Sequence, residues 1–562
     1  MSETFWDKLL SFFVYSKTNP IIFTQMTFWV FFTAVFAIFT IIHKRYTMRN
    51  LFLFAISVFF YYKTSGMFFM LLLFTIGNEF FVAKAIYNST VQWKRKLLIF
   101  YSVILNLGLL AYFKFAYFFS DSFNKVFHTN YEVVNYFSLW SNNIAGTHFD
   151  IDKILLPIGI SFYTFQIMTY TLDVYRKKLK PLDNFLDFGF YASFFPQILS
   201  GPIVKARDFI PQINKPYTLN QYQFGLALFM ILNGLIKKLI FGDYMATNFI
   251  DKVFGNPLLF TGVENLLAVI AYSLQVYLDF SGYTDIAMGL ALLMGYRLNK
   301  NFNSPYKAKS TAEFWKRWHI SLSSWLQENL YIPLGGNRKG TIASYVIIVI
   351  LTVFIALILN ALMVLYVMAG VFIVLGILSY LYPGVKKTVD TNINLMITML
   401  LGGLWHGGGP VAATTLNFLI WGGLNGLGLV FYKLWKKISP YQYIKTWPVN
   451  VWKIFITFMF ITFTRIFFRT EDLDQAGEVM GKIAYDLNLS VAPAIIGNFW
   501  IVFSLMTIAF IVHWLPSNTK WQYKKIFIKS PAYVKVLIVV MTILGIYQAV
   551  SSEMTKFIYF QF

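Results

Sequence analysis

The sequence contains no cysteine and little charge, and each shortage excludes a kind of chemistry. Without a cysteine among its 562 residues, the chain has no disulfide, no thiolate nucleophile and no cysteine-based metal site. Charged residues make up only 13% of the chain, which is about half their share in soluble globular proteins. A soluble fold of this length is therefore excluded.

Acidic residues are especially few. The chain has 47 lysines and arginines against 25 aspartates and glutamates, which gives a formal net charge of +22. In a soluble protein this surplus would favour nucleic acid as a partner. In a membrane protein, lysine and arginine gather in the cytoplasmic loops instead. We therefore expect membrane lipids around the chain and no nucleic-acid partner.

Apolar residues, in contrast to charged residues, are abundant in the sequence. They make up 57% of the chain, and aromatic residues alone reach 20%. Disorder is excluded, because disordered chains are poor in hydrophobic residues. The composition predicts an all-α, polytopic integral membrane protein.

The order of apolar runs and basic clusters predicts the domain organisation. Basic clusters fall at alternate ends of the apolar runs, so all of them can be cytoplasmic, which leaves both termini outside the cytoplasm. The charge-free run 342–383 is long enough for two crossings with a turn near Asn360. We predict four parts: an interfacial amphipathic helix over 1–20, membrane helices and an outer loop over 21–150, a core over 151–432, and further membrane helices over 433–562.

The core differs from its flanks, because its apolar segments are short and broken by prolines such as Pro157, Pro196 and Pro305. Irregular backbone at membrane depth persists only where it packs inside protein or lines water. We therefore expect the functional site in this region.

Several familiar motifs are absent from the sequence. It has no G-x-S-x-G elbow and no histidine or cysteine spacing of a metal site. The run from Gly335 to Gly340 has P-loop spacing, but Thr341 stands where the P-loop lysine is required. We expect no metal and no tightly bound cofactor.

His406 is the first candidate catalytic residue. It lies in the run LLGGLWHGGG (400–409), inside an apolar helix pattern. Ionisable residues within a membrane are costly and mark functional sites. Neighbouring glycines let backbone or a thin substrate come close to the imidazole, and imidazole suits general-base catalysis near neutral pH.

His319 is the second candidate. Helical spacing stacks it on Ser323, and stacks Glu313 on Arg317. A serine–histidine pair is compatible with a covalent acyl-serine, but serine in membrane helices more often bonds its own backbone.

Two carboxylates are candidate supporting groups. Asp279 and Asp285 could each orient a histidine, cap a helix or pair with Arg297.

A glycine-rich basic loop over 335–340 is a candidate phosphate site. Its N–H groups, together with Asn337, Arg338 and Lys339, could receive the phosphates of a donor. Arg317 joins this set of donor-binding candidates. A cytoplasmic turn that merely obeys the positive-inside rule explains the same residues.

These segments together resemble the membrane-bound O-acyltransferase (MBOAT) superfamily. Each string is a weak motif alone, but all of them occur in family order. Their residues are most similar to those of the bacterial branch that contains the membrane subunit of alginate O-acetylation and the D-alanyl transferase for teichoic acids. The matching strings are residues 157–166, 195–203, 279–285, 301–306, 314–323, 331–338 and 403–407.

The resemblance implies a helical fold with a central funnel or tunnel formed by broken and tilted helices. It also implies that His406 is the principal catalytic residue and that His319 is its polar partner. The implied acyl donor is a cytoplasmic thioester, either acetyl-CoA or a phosphopantetheine-linked carrier. The implied acceptor is an extracytoplasmic polysaccharide or a partner acyltransferase, and the implied location is the bacterial cytoplasmic membrane.

Three departures from the family pattern stand out. Asn425 occupies the place where many relatives carry a second helical histidine, and extra residues occur around 410–415. Relatives often read Trp-Leu-Arg-Asp-Tyr where this chain has Trp325-Leu326-Gln327-Glu328-Asn329. Any role of that Arg–Asp pair is therefore not carried over.

The sequence predicts an O-acyltransferase, in the first place an O-acetyltransferase that modifies a cell-envelope polysaccharide. Two alternatives stay open. One is D-alanyl transfer to a teichoic-acid-like polymer, and the other is a transporter that moves an acylated carrier without forming a bond. Transporters also use broken helices but often show paired repeats, and we find no such repeat in this sequence.

Overall fold

A computed structural model describes residues 13–16, 20–145, 150–359, 362–409 and 412–549. Most of the predicted amphipathic helix over 1–20 lies outside these residues, as does the predicted turn near Asn360. All regular secondary structure in the described part is helical, and this part contains no strand. The prediction of an all-α fold is confirmed.

The N-terminal group consists of membrane helices and one short outer helix. Gly66, at a φ of 60°, separates the second and third of them, so that the chain turns back where a side chain would be strained. The helices are α1 (Met26–Ile42), α2 (Tyr46–Ser65), α3 (Phe69–Asn88), α4 (Gln92–Phe127) and α5 (Tyr136–Ala145).

The middle group combines two long helices with several short ones. The second long helix begins at a capping box, in which Thr261 and Glu264 satisfy each other's backbone N–H groups. The first continues through π-helical turns over Ile236–Asp243 and Ala246–Ile250. The helices are α6 (Ile160–Tyr175), α7 (Phe185–Ser193), α8 (Phe195–Ile198), α9 (Ala206–Ile213), α10 (Gln221–Leu235), α11 (Asp251–Gly255), α12 (Gly262–Leu293), α13 (Thr311–Trp315) and α14 (Ile320–Leu326).

The C-terminal group returns to long helices. Two helices occupy the run 342–383, for which two crossings are predicted: Met363–Leu381 is long and apolar enough to cross a membrane, and Ile342–Ile358 is a shorter apolar helix. The helices are α15 (Ile342–Ile358), α16 (Leu362–Leu381), α17 (Pro383–His406), α18 (Ala412–Ile438), α19 (Trp447–Arg469), α20 (Leu473–Tyr485), α21 (Ala492–Asn498), α22 (Trp500–Trp514), α23 (Ser517–Lys529) and α24 (Ala532–Ala549).

Among the described residues, eight helices are long and apolar enough to cross a membrane, or up to ten if each sharply bent helix pair is one span. The long helix α12 is the most enclosed of these, with 83% of its most apolar window buried. The protein is therefore a multi-pass membrane protein built around the middle group. Short, broken helices do occur in the core, as its prolines predict.

The connections between helices gather at two ends of opposite charge. We call one the basic end; it contains the lysine- and arginine-rich segments 43–49, 89–96, 176–184, 205–220, 295–310, 335–341, 433–446 and 515–531. Hydrogen bonds join several of these segments to one another, as between Arg49 and Lys215, Gln212 and Arg297, Asp208 and Asn299, Lys307 and Leu515, and Lys520 and Ser304.

The other end we call the acidic end; it contains segments 120–135, 256–262 and 470–498. Arg469 pairs with Asp251 at 2.9 Å, and the Gly262 N–H donates to the Asp486 carbonyl oxygen at 3.1 Å. The helices thus run between two chemically different surfaces, as the alternating basic clusters predict.

Candidate active site

His406 is the last residue of α17, and its side chain is only 4% exposed. Aromatic rings surround the imidazole. The ring centroids of Trp405, Trp421, Phe468 and Phe418 lie 4.9, 5.2, 5.5 and 6.3 Å from that of His406. The prediction that His406 sits in an apolar helix is confirmed, and these rings shield it from the surroundings.

Two glycines bring the neighbouring helix against His406. A Cβ on Gly403 of α17 would lie 2.4 Å from the Phe418 carbonyl oxygen, and one on Gly422 of α18 would lie 2.4 Å from that of Met399. No side chain fits in either place, so the two backbones touch. This close approach places Trp421 beside His406.

Lys114 on α4 holds the end of the helix that carries His406. Its ammonium donates to the Trp405 carbonyl oxygen and to Ser161 Oγ at 3.2 Å. In return, the Gly409 N–H donates to the Lys114 carbonyl oxygen at 2.9 Å. A cation at the last carbonyls of a helix is favourable, so Lys114 fixes where α17 ends. It is buried, with 6% exposed.

His319 is fully buried and lies between α13 and α14 with a φ of 42°. The segment 313–323 is not one continuous helix, because the chain leaves the helix after Trp315 and re-enters it at Ile320. The spacing from His319 to Ser323 is nevertheless helical, since the Ser323 N–H donates to the His319 carbonyl oxygen at 2.9 Å. Left-handed backbone is rare for residues with a side chain and is concentrated at functional sites.

Asn301 orients the His319 ring. Its Oδ1 accepts the backbone N–H of Ser321 at 3.1 Å and lies 3.3 Å from His319 Nδ1. Because a backbone N–H only donates, the amide orientation is fixed and Nδ1 carries the proton of the neutral ring. Nε2 is then the basic nitrogen of His319.

The two predicted histidines come together in the structure. Their ring centroids lie 6.4 Å apart, although 87 positions of sequence separate them. Trp405 contacts both, at 4.9 Å from His406 and 6.0 Å from His319. The site is thus a buried pair of imidazoles within an aromatic cluster.

The predicted carboxylates are paired with lysines. Asp279 lies 2.7 Å from Lys238 Nζ, which also contacts Asp243 at 2.7 Å. Asp285 accepts from Lys237 at 2.7 Å rather than from Arg297, the partner considered from the sequence.

Ser323 and Asn425 both bond to backbone. Ser323 Oγ donates to the Trp318 carbonyl oxygen at 3.3 Å. This is the backbone bond that membrane serines commonly form, and not a bond to His319. Asn425 Nδ2 donates to the Trp421 carbonyl oxygen at 2.9 Å and to Thr464 Oγ1 at 3.3 Å. Asn425 therefore supports the helix that packs against His406.

The donor-binding candidates fall in two places at the basic end. Asn337, Arg338 and Lys339 are exposed in the glycine-rich loop, which Asn394 of α17 anchors by bonds to the carbonyl oxygens of Gly336 and Lys339 at 3.1 and 3.0 Å. Arg317 instead pairs with Glu313 at 2.7 Å, as its spacing predicts.

The segment that departs from the family pattern forms an ion network of its own at the basic end. Glu328 pairs with Lys205 and, at 2.9 Å, with Arg207. Burial by itself would raise the pKa of the Glu328 carboxyl, but hydrogen bonds and charges from Lys205 and Arg207 hold that pKa below its ordinary value. The basic end is therefore braced here by a carboxylate that stays ionised.

Sequence reasoning missed Lys114, Asn301 and a second buried cation, Arg465 of α19. Lys114 and Arg465 each interrupt an apolar run, so the rule that flags intramembrane charge would have found both. Asn301 lies in a family-like string but carries no signal of its own. Within the described residues, neither Lys114 nor Arg465 has a carboxylate within 4.0 Å.

The fold and the buried histidine pair define a multi-pass membrane protein with an imidazole centre. The sequence profile of MBOAT, the membrane-bound O-acyltransferase family, matches residues 10–356. The chain therefore belongs to the membrane-bound O-acyltransferase family, as its motifs indicate. The matched range includes His319 and ends before His406.

Individual relatives act on cell-envelope polymers, according to their names. The chain is 34% identical over 385 residues to a probable alginate O-acetylase of Pseudomonas syringae pv. tomato, an alignment that covers 68% of this chain and 59% of the relative. It is 30% identical over 464 residues to a peptidoglycan O-acetyltransferase of Helicobacter pylori, covering 78% of this chain and 74% of the relative.

A third relative transfers a different acyl group. The chain is 34% identical over 183 residues to a teichoic acid D-alanyltransferase of Bacillus subtilis, covering 31% of this chain and 45% of the relative. The chain thus spans about three fifths of the alginate relative and less than half of the D-alanyl relative.

Proposed function

We propose that the protein is an O-acetyltransferase that moves an acetyl group from a thioester donor at the basic end to a hydroxyl at the acidic end. The observation that carries this proposal is the buried histidine pair, with ring centroids 6.4 Å apart, in a member of an acyltransferase family. A transporter needs no such pair of imidazoles within an aromatic cluster.

His406 serves as the general base. A sugar or serine hydroxyl is almost fully protonated at neutral pH, so its attack needs a proton acceptor, which contributes about 10²–10⁴-fold. The acceptor oxygen bonds to the thioester carbonyl carbon as His406 takes its proton. The tetrahedral intermediate then collapses, the C–S bond breaks, and the leaving thiolate receives the proton from His406. The products are an acetyl ester and a thiol.

His319 acts on the donor in this proposal. With its proton held on Nδ1 by Asn301, the neutral ring presents Nε2 as an acceptor, which can orient a thiol, amide or hydroxyl group of a substrate. Direct transfer fits a chain that has no cysteine and whose Ser323 hydroxyl is bonded to backbone.

The charges near the site favour acetyl over D-alanyl transfer. Two buried cations, Lys114 and Arg465, lie among the residues around His406, whereas Asp279 and Asp285 are paired with lysines. A D-alanyl group carries an ammonium, which two cations would repel in a low-dielectric interior. An acetyl group carries no charge and meets no such penalty.

The glycine-rich loop supports donor entry from the basic end. Asn394, which anchors the loop, and His406 lie on the same helix, about 18 Å apart at about 1.5 Å per residue. An extended pantetheine arm can span such a length. Phosphates bound by Arg338 and Lys339 would then remain at the surface while the thioester reaches the histidines.

A second group of cations supports the same direction. We call Lys300, Lys307, Lys520 and Arg317 the lysine cluster. Their side chains bond to Asn303, Leu515, Ser304 and Asn303 at 3.0, 2.6, 2.9 and 3.0 Å, respectively. Within the described residues, none of the three lysines has a carboxylate partner, so the cluster can attract either a nucleotide phosphate or an acidic carrier protein.

The acidic end supports a protein acceptor over a polyanionic one. A cleft of about 340 Å³ lies there, and its lining carries three carboxylates. These would repel an anionic polysaccharide but attract a basic protein surface. We therefore favour a partner acyltransferase that relays the acetyl group to the polysaccharide. The lining residues are Tyr117, Ser120, Asp121, Asn124, Tyr131, Glu132, Val133 and Asp152.

The proposed location is the bacterial cytoplasmic membrane, with the basic end in the cytoplasm and both termini outside. The positive-inside rule supports this orientation.

The decisive experiment uses the purified protein in sealed vesicles with acetyl-CoA labelled in the acetyl group on one side. We expect labelled ester to form on an acceptor hydroxyl on the other side, and slow release of labelled acetate when no acceptor is present. A chain that moves labelled carrier across the membrane without releasing thiol would be a transporter, and the proposal would be wrong. D-alanyl thioester in place of acetyl-CoA should give a much lower rate.

A further inference from the structure

Arg465 is a buried cation inside the aromatic cluster. Its side chain lies on α19 and is 1% exposed. The guanidinium carbon lies 4.4, 5.0 and 5.9 Å from the ring centroids of Trp318, Phe468 and Trp421. Such rings stabilise a guanidinium through its faces. They leave the N–H groups at its edge available to an acceptor.

The edge of this guanidinium is only partly satisfied by the protein. Within the described residues, Nε and Nη2 of Arg465 have no hydrogen-bond partner, and no carboxylate lies within 4.0 Å of the side chain. The Tyr306 phenol oxygen is a hydrogen-bond acceptor for the Arg465 side chain, while the phenol proton is donated to the Ser273 carbonyl oxygen. This neutral partner leaves the charge of Arg465 without a counter-charge. A buried charge without a counter-charge and with two unsatisfied nitrogens is unfavourable, so this edge is suited to a negatively charged ligand.

The neighbouring Arg469 shows that the same helix can neutralise an arginine. Arg469 lies one turn further along α19 and pairs with Asp251 at 2.9 Å. Within the described residues, Arg469 therefore has a carboxylate partner and Arg465 has none. This contrast indicates that the charge of Arg465 is kept available.

Arg465 shares its neighbours with both histidines. Trp421 and Phe468, which contact the guanidinium, also lie 5.2 and 5.5 Å from the His406 ring. Trp318, which covers the guanidinium most closely, directly precedes His319. The two imidazoles and the guanidinium therefore line one small region.

We propose that Arg465 binds the oxygen anion that forms on the acetyl carbonyl during transfer. This inference rests on the proposed function. When the acceptor oxygen bonds to the carbonyl carbon, the C=O π electrons move to the carbonyl oxygen, which becomes negative. The Arg465 N–H groups donate to that oxygen, and its electrons return to form C=O as the C–S bond breaks. Because the charge exists only between these two events, Arg465 stabilises the intermediate more than the bound thioester.

The test compares Arg465→Gln and Arg465→Lys with the matched control Arg469→Gln, which removes an arginine from the same helix outside the site. Each variant is assayed for transfer to an acceptor and for acetyl-CoA hydrolysis without one. We expect Arg465→Gln to lower kcat of both reactions by about 10²–10³-fold with little change in KM for acetyl-CoA. For Arg465→Lys, we expect kcat values between those of Arg465→Gln and those of the wild type.

The pattern of losses separates this role from two others. If hydrolysis stays normal and only transfer to carboxylate-bearing acceptors fails, Arg465 binds the acceptor and the inference is wrong. If Arg465→Gln is folded and as active as the wild type, the inference is also wrong. A wild-type chain that neither hydrolyses nor transfers acetyl would instead reject the proposed function, and this inference with it.

A binding measurement covers the case in which Arg465→Gln does not fold. The probe is a trifluoromethyl ketone analogue of acetyl-CoA, whose hydrate resembles the tetrahedral intermediate. Arg465→Lys should weaken its binding at least about tenfold more than it weakens acetyl-CoA binding, because the planar fork of donors is lost. Equal weakening of both ligands would overturn the inference.

Discussion

At the scale of single residues, the proton transfer assigned to His406 can be tested by removing its imidazole. We expect His406→Ala to lower acetyl transfer by about 10²–10⁴-fold. The protein should still fold, because the helix and the Gly403–Gly422 contact do not depend on the ring. The matched control is His128→Ala, since His128 is exposed at the end of α4. Near-normal transfer by His406→Ala in vesicles would refute the assignment.

His319 combines a chemical role with an unfavourable backbone, and two substitutions separate them. Both His319→Ala and His319→Gly remove the imidazole, so both should lose activity to the same extent. They should differ in stability, because glycine adopts the φ of 42° freely and alanine does not. We expect the glycine variant to have a free energy of unfolding about 1 kcal/mol higher than that of the alanine variant, and therefore to unfold at a higher temperature. Equal thermal stability would show that this backbone is not strained.

The limits of sequence reasoning are clear for individual residues of the site. His406 and His319 could be named because a histidine in an apolar run is costly and conspicuous. That they meet could not be derived, since it depends on the left-handed turn at His319 and on the end of α17. The role of Asn301 could not be predicted either, because it depends on where the fold places this side chain relative to His319.

At the scale of helices, the contact between α17 and α18 determines the position of His406. Gly403→Ala would place a methyl group 2.4 Å from the Phe418 carbonyl oxygen, which forces the helices apart. We expect a loss of about 1–3 kcal/mol in stability and a large loss of transfer. Gly384→Ala is the control. Gly384 lies on the same helix as Gly403, but a Cβ added at Gly384 would have no neighbour within 4 Å. Thermal unfolding of both variants in detergent checks this, and equal stability would contradict it.

Helix prediction from the sequence was most accurate where one factor dominates. Long apolar runs such as α4 and α19 must form helices in a membrane, because their backbone has no other partner. The segment 311–331 could not be predicted in the same way, because its short helices depend on tertiary bonds such as that from Trp325 Nε1 to Thr169 Oγ1 at 2.8 Å.

At the scale of the whole molecule, the separation of charge between the two ends predicts its orientation. Single cysteines introduced as Lys339→Cys and Lys525→Cys should react only with a thiol reagent that reaches the cytoplasm, and Glu132→Cys and Asp474→Cys only with one outside. All four positions are exposed. Because the chain has no native cysteine, the unaltered protein is the blank for every measurement. Labelling of Lys339→Cys from outside would reverse the proposed direction of transfer.

The touching backbones of Gly403 and Gly422 also constrain how such a protein can diverge. A wall made of main-chain atoms cannot be enlarged or narrowed by substitution, because there is no side chain to exchange. A lineage that comes to use a longer or bulkier acyl group must therefore alter side chains elsewhere around the site, such as Phe162 and Phe280, which contact His319. Changes of acyl preference should accordingly be recorded in α6 and α12, while this glycine pair stays fixed.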